Sequence, residues 1–249
     1  MTTIITLKDI ADLIPAGSRL ICGGFQANRA PVGLVQALLD GPPGQFALTA
    51  LPNPVPTDML LRGDRLSLLD TSFNGLELSD GFHSSAGFRH AIECTNIGWK
   101  ESDVYEIIQG MRAAAMGLPF IPAPEIAGSQ YTESQYHRIH RVVDPFHGGE
   151  SVFAVPPLNP DVALLHVQKA DRNGNLWIED PLYDEIILQA SRLTIVSCEE
   201  LVDSIDRPTI SGLFVDHVLA IKNGAAPTGC RGYYGPDEKR LQEILGGTR

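Results

Sequence analysis

Apolar residues fall into two kinds of run along this chain, and their order predicts its elements. Predominantly apolar stretches of strand length occur at 20–22, 46–51, 66–69, 162–167 and 193–198. Runs without alternation are expected of strands buried on both faces. Between them, apolar residues recur at three- and four-residue spacing, as on a helix face. The sets are Leu7, Ile10, Ala11 and Ile14; Val32, Val35, Leu38 and Leu39; Val104, Ile107, Ile108, Met111 and Ala115; and Leu182, Ile186 and Ala190 with Ile187 beside them.

Punctuation supports these assignments. Thr6-Leu-Lys-Asp9 has the form of a capping box with Asp in place of Glu or Gln, and Pro15-Ala-Gly17 stops the helix behind it. Pro31 opens the second helix, Ser102 or Asp103 caps the one from 104, and Gly117 with Pro119 beyond ends it. Asp180 followed by Pro181 reads as an N-cap and a first helical residue. Asp171-Arg-Asn-Gly174-Asn is turn chemistry, and a last strand precedes a terminal helix from Pro236. Pro52-Asn53-Pro54-Val55-Pro56 reads as a proline-rich loop, 76–98 is ambiguous, and 123–150 is polar and unpatterned. Strands alternating with helices predict an α/β fold with a mainly parallel open sheet and helices on both faces. With no linker and no repeat, residues 1–249 are expected to form a single domain.

Hydrophobic residues make up 43% of the 249 and charged residues 20%, as in soluble globular proteins. No apolar run approaches the roughly 20 residues a membrane span needs. MTTIITLKDI lacks a basic region followed by an apolar stretch, so no signal peptide and a cytoplasmic location are expected. A net charge of −11 argues against nucleic acid or an anionic membrane as partner. Cys22, Cys94, Cys198 and Cys230 are scattered without metal-ligand spacing, so reduced, buried thiols and no metal are expected.

Candidate chemistry gathers where predicted strands end. Gly23-Gly24-Phe25 lies between a strand and a helix, where two glycines allow close backbone approach and leave amides free to donate. The plain alternative is a tight strand-to-helix turn. Asn53 and Ser72-Phe73-Asn74 follow strands, and ligands of open α/β sheets collect outside the carboxyl ends of strands. Glu101 lies just before a helix, where the N-terminus favours an ionised carboxylate suited to a base or nucleophile; Glu106, one turn inside, is a weaker rival. His166 sits in an apolar strand, as a satisfied core residue would. His137 and His140 lack the HExxH glutamate, and there is no GxSxG elbow.

Four stretches carry a family resemblance. They are ICGGFQANRAPVGLVQALL (21–39), DPFHGGESVFAVPPLNPDVALLHVQKADRNGNLWI (144–178), SCEELV (197–202) and VDHVLAIKNGAAPTGCRGYYGPDEKRLQEIL (215–245). In this order they resemble the α subunit of family I coenzyme A transferases, the glutaconate and 3-oxoacid enzymes among them. The resemblance implies the NagB/RpiA/CoA-transferase-like architecture. It also implies acyl-pocket roles for Gly23, Gly24, Phe25, Asn53, Ser72, Phe73 and Asn74. The substrates would be an acyl-CoA and a small carboxylic acid, with no cofactor.

In that family the acyl-CoA is attacked by a glutamate in a Glu-x-Gly motif of the β subunit. No Glu-x-Gly occurs in this chain, so a β-type partner would supply the nucleophile. Two alternatives remain. One resembles the steroid ring-cleaving hydrolases of the same scaffold, with Glu101 as the base for water. The other is an acyl-CoA-binding subunit without turnover.

Overall fold

The computed structural model describes residues 2–123, 140–146 and 148–246. In chain order the elements are β1 (Thr3–Ile4), α1 (Ile10–Leu13), β2 (Arg19–Cys22), α2 (Val32–Asp40), β3 (Phe46–Ala50), α3 (Pro54–Arg62) and β4 (Leu66–Thr71). Next come β5 (Gly75–Leu78), β6 (Gly81–Ser84), α4 (Ala86–Cys94), β7 (Gly98–Glu101), α5 (Val104–Ala115), β8 (Ile121–Ala123), β9 (His140–Val143) and β10 (Ser151–Val155). The chain continues through β11 (Val162–Asp171), β12 (Leu176–Trp177), α6 (Asp184–Ala190), β13 (Leu193–Val202), β14 (His217–Ala220) and α7 (Glu238–Gly246).

The main sheet runs β1-β14-β13-β11-β2-β3-β4-β7, with β12 added antiparallel to β11 and every other pair parallel. Residues 162–167 of β11 are all buried, as their predominantly apolar run predicts. Helices cover both faces. On one side Ile107 and Met111 of α5 and Ile187 of α6 pack on Leu165, Val167 and Val196. On the other, Leu34 and Leu38 of α2 and Leu60 of α3 pack on Leu20, Leu48 and Leu69. Each such side chain, fully withdrawn from water, contributes roughly 1.5–3 kcal/mol. None of the described helices is long and apolar enough to cross a membrane.

Helix α5 shows how local chemistry sets an element. The Asp103 carboxylate accepts the Tyr105 N–H at 2.7 Å, so Asp103 rather than Ser102 is the cap. At the other end Gly117 takes φ +65°, and the N–H of Leu118 reaches the Ala113 carbonyl at 2.8 Å, closing the last turn.

Four sequence expectations need correction. The proline-rich stretch is not all loop: Pro54 to Pro56 begin α3 behind Asn53 at the cap. The first helical N–H groups have no intrahelical partner, so prolines cost little there. Asp180-Pro181 does not open a helix; Leu182 takes φ +37°, and α6 begins at Asp184. Asp180 instead accepts from Arg29 and Asn28. The first helix is short, a 3-10 turn at Leu7–Asp9 leading into α1, and Leu7 is exposed. Cys94, at the end of α4, is exposed, whereas Cys22, Cys198 and Cys230 are buried.

The ambiguous 76–98 stretch resolves into the β5–β6 hairpin, α4 and the start of β7. Of the unpatterned 123–150 stretch, β9 pairs with β10, which also pairs with β8. His137 and His147 lie outside the described residues, and His140 is exposed on β9.

The turn after β11 carries a pH signature. Asp171 is buried and accepts from the N–H groups of Asn173, Asn175 and Ile205 and from the Asn175 side chain. Burial alone would raise its pKa, but these donors outweigh it and hold the carboxyl below its ordinary value. A depressed folded pKa adds stability above the unfolded value of about 3.9, lost as pH falls through the folded one. Asp171→Asn should therefore cost roughly 1–3 kcal/mol at neutral pH, because an amide places donors against donors. The melting-temperature gap from wild type should shrink below about pH 4. A gap constant with pH would contradict this.

Candidate active site

Parallel strands bring the candidate residues to one edge. β2, β3, β4 and β7 are neighbours, and their carboxyl ends carry Gly23–Phe25, Asn53, Ser72–Asn74 and Glu101 in that order. Hydrogen bonds tie the loops together. Asn53 Nδ2 donates to the Gly23 carbonyl at 2.6 Å, the Gln26 N–H to the Pro52 carbonyl at 2.8 Å, and Gln26 Nε2 to the Gly75 carbonyl at 3.3 Å. Asn74 Nδ2 donates to Thr71 Oγ1 at 2.8 Å, and Thr71 pairs in register with Glu101.

Three polar atoms at this edge are buried without a hydrogen-bond partner among the described residues: Asn53 Oδ1, Ser72 Oγ and Asn74 Oδ1. Buried polar atoms are seldom left unpaired, because each costs about 1–3 kcal/mol. Beside them Phe73 is partly exposed and tilts against Phe82, ring centroids 5.7 Å apart. The arrangement offers a ligand one hydroxyl, able to donate, and two amide oxygens, which accept, with an aromatic rim.

The glycine loop differs from expectation. Its amides are not free to donate. The N–H groups of Gly23, Gly24, Phe25 and Gln26 go to the Leu164 carbonyl, the Asp184 carboxylate, the Asn28 carbonyl and the Pro52 carbonyl. Gly24 takes φ +79°, and a Cβ there would lie 2.4 Å from the Arg29 carbonyl oxygen. The tight-turn alternative therefore describes Gly24, and the loop is a fixed wall rather than an anion cradle. Gly23 is also close-packed, with Asp184 Oδ1 and Leu165 Cγ each 2.6 Å from where its Cβ would be.

Behind that wall lies a group that local sequence patterns missed. Arg29 is 1% exposed. Its Nε reaches Asp180 Oδ1 at 2.8 Å, Nη2 the Asp180 carbonyl at 2.6 Å, and Nη1 Asp184 Oδ2 at 2.7 Å. Burial opposes its charge, but the two carboxylates hold its pKa above the ordinary value. Burial pushes the Asp184 carboxyl up, against the pull of Arg29 and the Gly24 N–H. The signal in the sequence was an Arg inside the glycine-rich stretch, with acidic residues flanking Pro181.

Glu101 lies at the end of edge strand β7 and is exposed, whereas Glu106 is buried in the first turn of α5. Asp103 takes the Tyr105 amide of the helix that Glu101 precedes, so the helix end serves Asp103 first. Ser102 is buried with its hydroxyl on Asp70.

A second polar cluster sits deeper. His166 is 0% exposed, with Nδ1 2.9 Å from Ser197 Oγ and Nε2 2.8 Å from Glu199 Oε1, a satisfied core histidine. Tyr234 O–H and the Asn223 N–H also donate to Glu199. Burial would raise the Glu199 pKa, but His166, Tyr234 and Asn223 hold the carboxyl below its ordinary value. Ligand atoms of His166, Glu199 and Cys230 lie within 4.8 Å of one another. Hydrogen bonds already engage the first two, and burial pushes the Cys230 thiol up to about 12, away from the thiolate a metal prefers. A cleft of about 1030 Å³ lies elsewhere, against Gln45 and Leu66 at the opposite ends of the strands. Strand direction, not volume, marks the candidate site.

This scaffold has known relatives. A family model described as Coenzyme A transferase matches residues 4–220. The chain is 31% identical to the A-type subunit of glutaconate CoA-transferase from Acidaminococcus fermentans, over 97% of this chain and 82% of that one. A crystal structure of glutaconate coenzyme A-transferase from that organism superposes with a TM-score of 0.89 at 28% identity, covering 98% of this chain and 83% of that one. The chain is 26% identical to the cholesterol ring-cleaving hydrolase IpdA subunit of Rhodococcus jostii, over 94% and 83% of the two chains. The crystal structure of a variant of the decarboxylase AibA/AibB superposes with a TM-score of 0.92 at 37% identity, covering 98% and 92%. By the extent of the family match and the identity to the glutaconate enzyme's chain across its length, this chain belongs to the coenzyme A transferase family.

Proposed function

We propose that this chain is the α-type subunit of a two-subunit enzyme that moves CoA between an acyl-CoA and a small carboxylic acid. The observation that carries the reading is the set of unpartnered buried atoms, Asn53 Oδ1, Ser72 Oγ and Asn74 Oδ1, at the carboxyl ends of β3 and β4. The Ser72 hydroxyl can donate to an acyl carbonyl or carboxylate. The two amide oxygens accept, and the Nδ2 groups beside them are engaged by the Gly23 carbonyl and Thr71 Oγ1. Together they suit a small acyl group that also carries a donor such as a hydroxyl. A carboxylate of the partner attacks the thioester carbonyl, giving a mixed anhydride and free CoA thiolate. The thiolate then attacks the glutamyl carbonyl, releasing the first acid and leaving a glutamyl-CoA thioester. The acceptor acid reverses both steps. In this scheme Ser72 donates to the acyl oxygen or carboxylate, Phe73 shields the pocket, and the Gly23–Phe25 wall limits its depth. CoA is substrate, and no cofactor takes part.

A second reading keeps the pocket and changes the reaction. The 37% identity to the AibA/AibB decarboxylase favours loss of carbon dioxide from an acyl-CoA, and the IpdA likeness favours addition of water with Glu101 as base. The test is to co-express the chain with the product of a neighbouring gene of similar size and assay the complex on a panel of acyl-CoAs. Turnover that requires an acceptor acid supports transfer. Release of carbon dioxide, or ring opening without an acceptor, refutes it.

Glu101→Gln sharpens the choice. If Glu101 only borders the pocket, kcat should fall less than about tenfold, or about 1.4 kcal/mol. A base for water would lose roughly 10²–10⁴-fold.

A further inference from the structure

We infer that Arg29 and Asp184 are positioning residues that hold the glycine loop in register with the acyl pocket, an inference that rests on the pocket assignment above. The loop's backbone is strained where it turns, with Gln26 at φ +52° and Arg29 at φ +56°, outside the region most side chains adopt. Such conformations persist only when surrounding contacts over-determine them.

Here the contacts are specific. One oxygen of Asp184 accepts the Gly24 N–H at 3.1 Å, and the other lies 2.7 Å from Arg29 Nη1 as an ion pair, Nη1 donating its hydrogen bond to the His166 carbonyl at 3.3 Å. Asp180 holds Arg29 Nε at 2.8 Å and also takes the Asn28 side chain. The Arg29 N–H reaches the Gly229 carbonyl at 2.7 Å. The loop is thus fastened at Gly24, Asn28 and Arg29, and Asn53 of the pocket is fastened to it through the Gly23 carbonyl at 2.6 Å. A shift of the guanidinium would move Asn53.

Stability alone is a poor reason for this pair. Buried ion pairs are often no better for stability than well-packed apolar residues, whereas a planar guanidinium fixes several acceptors at set angles. Lysine keeps the charge and loses the fork.

Arg29→Lys, in the complex with the partner subunit, should lower kcat roughly 10–100-fold while KM for acyl-CoA moves less than about threefold, since the loss falls on interactions made in the transition state. Hydrogen exchange should rise in peptides covering 23–29 and change little elsewhere. Should that variant fail to assemble, Asp180→Asn decides. Its side chain is 21% exposed and its carbonyl still holds Arg29, so the fold is kept, and kcat should fall roughly 3–10-fold. Arg192→Lys, at an exposed ion pair of 3.7 Å, is the control and should match wild type.

Unchanged kcat in Asp180→Asn, or in an assembled Arg29→Lys complex whose melting temperature alone has dropped, would overturn the inference. Failure of the transferase reading looks different. The wild-type complex would then show only decarboxylation or hydrolysis, and the same kcat and exchange comparisons on that turnover still judge the pair.

Discussion

Gly24→Val should abolish turnover and lower the melting temperature of the complex by about 4–20 °C, from a cost of roughly 2–5 kcal/mol at 2–4 °C per kcal/mol. Part of that cost is local. Gly24 sits at φ +79°, where an L side chain loses roughly 1–2 kcal/mol. The rest is overlap. A Cβ would lie 2.4 Å from the Arg29 oxygen and 2.6 Å from its carbonyl carbon, both backbone atoms that no rotamer change can remove. Relieving it pushes the turn off Asp184 and pulls Asn53 out of place, adding roughly 1–3 kcal/mol of overpacking strain. Gly235→Ala is the contrast, since nothing lies within 4 Å of its added Cβ and φ is ordinary there. A Gly24→Val complex with wild-type melting and wild-type kcat would show that the turn tolerates what its geometry forbids.

The layout of strands was readable because burial on both faces leaves a predominantly apolar run, as at 162–167. Helix α5 was readable because its face and both ends carry local signals. The misread elements share a cause. Pro54 and Pro56 look like loop residues in isolation and become helical because they occupy the first turn. Asp180 looks like a cap because it precedes a proline, yet a buried arginine claims it from 151 positions away.

The site divides the same way. Asn53 and Ser72–Asn74 were singled out from their places after strands and Glu101 from its place before a helix, and the parallel sheet carries all of them to one edge. The pairing of Arg29 with Asp184 was not legible from local pattern, although each stood in a noticeable stretch, because it joins the glycine loop to the start of α6 through the fold. The free amides expected at Gly23-Gly24 were lost for the same reason: the acceptor for Gly24 lies 160 residues away. Local pattern marks the strand ends, whereas the ion pair behind the glycine loop joins residues far apart in the chain.

Transfer through a partner carboxylate is tested most directly by trapping the intermediate. The complex is exposed to acyl-CoA, treated with borohydride or hydroxylamine, and both chains are digested and mapped by mass spectrometry. Both reagents attack a glutamyl-CoA thioester and spare an ordinary carboxylate. The proposed route predicts inactivation only after acyl-CoA, with the modification on a glutamate of the partner subunit, none being found on this chain. The chain alone, lacking any Glu-x-Gly, should show neither turnover nor modification. Modification at Glu101, or full turnover of the complex with no trapped adduct on either chain, would contradict it.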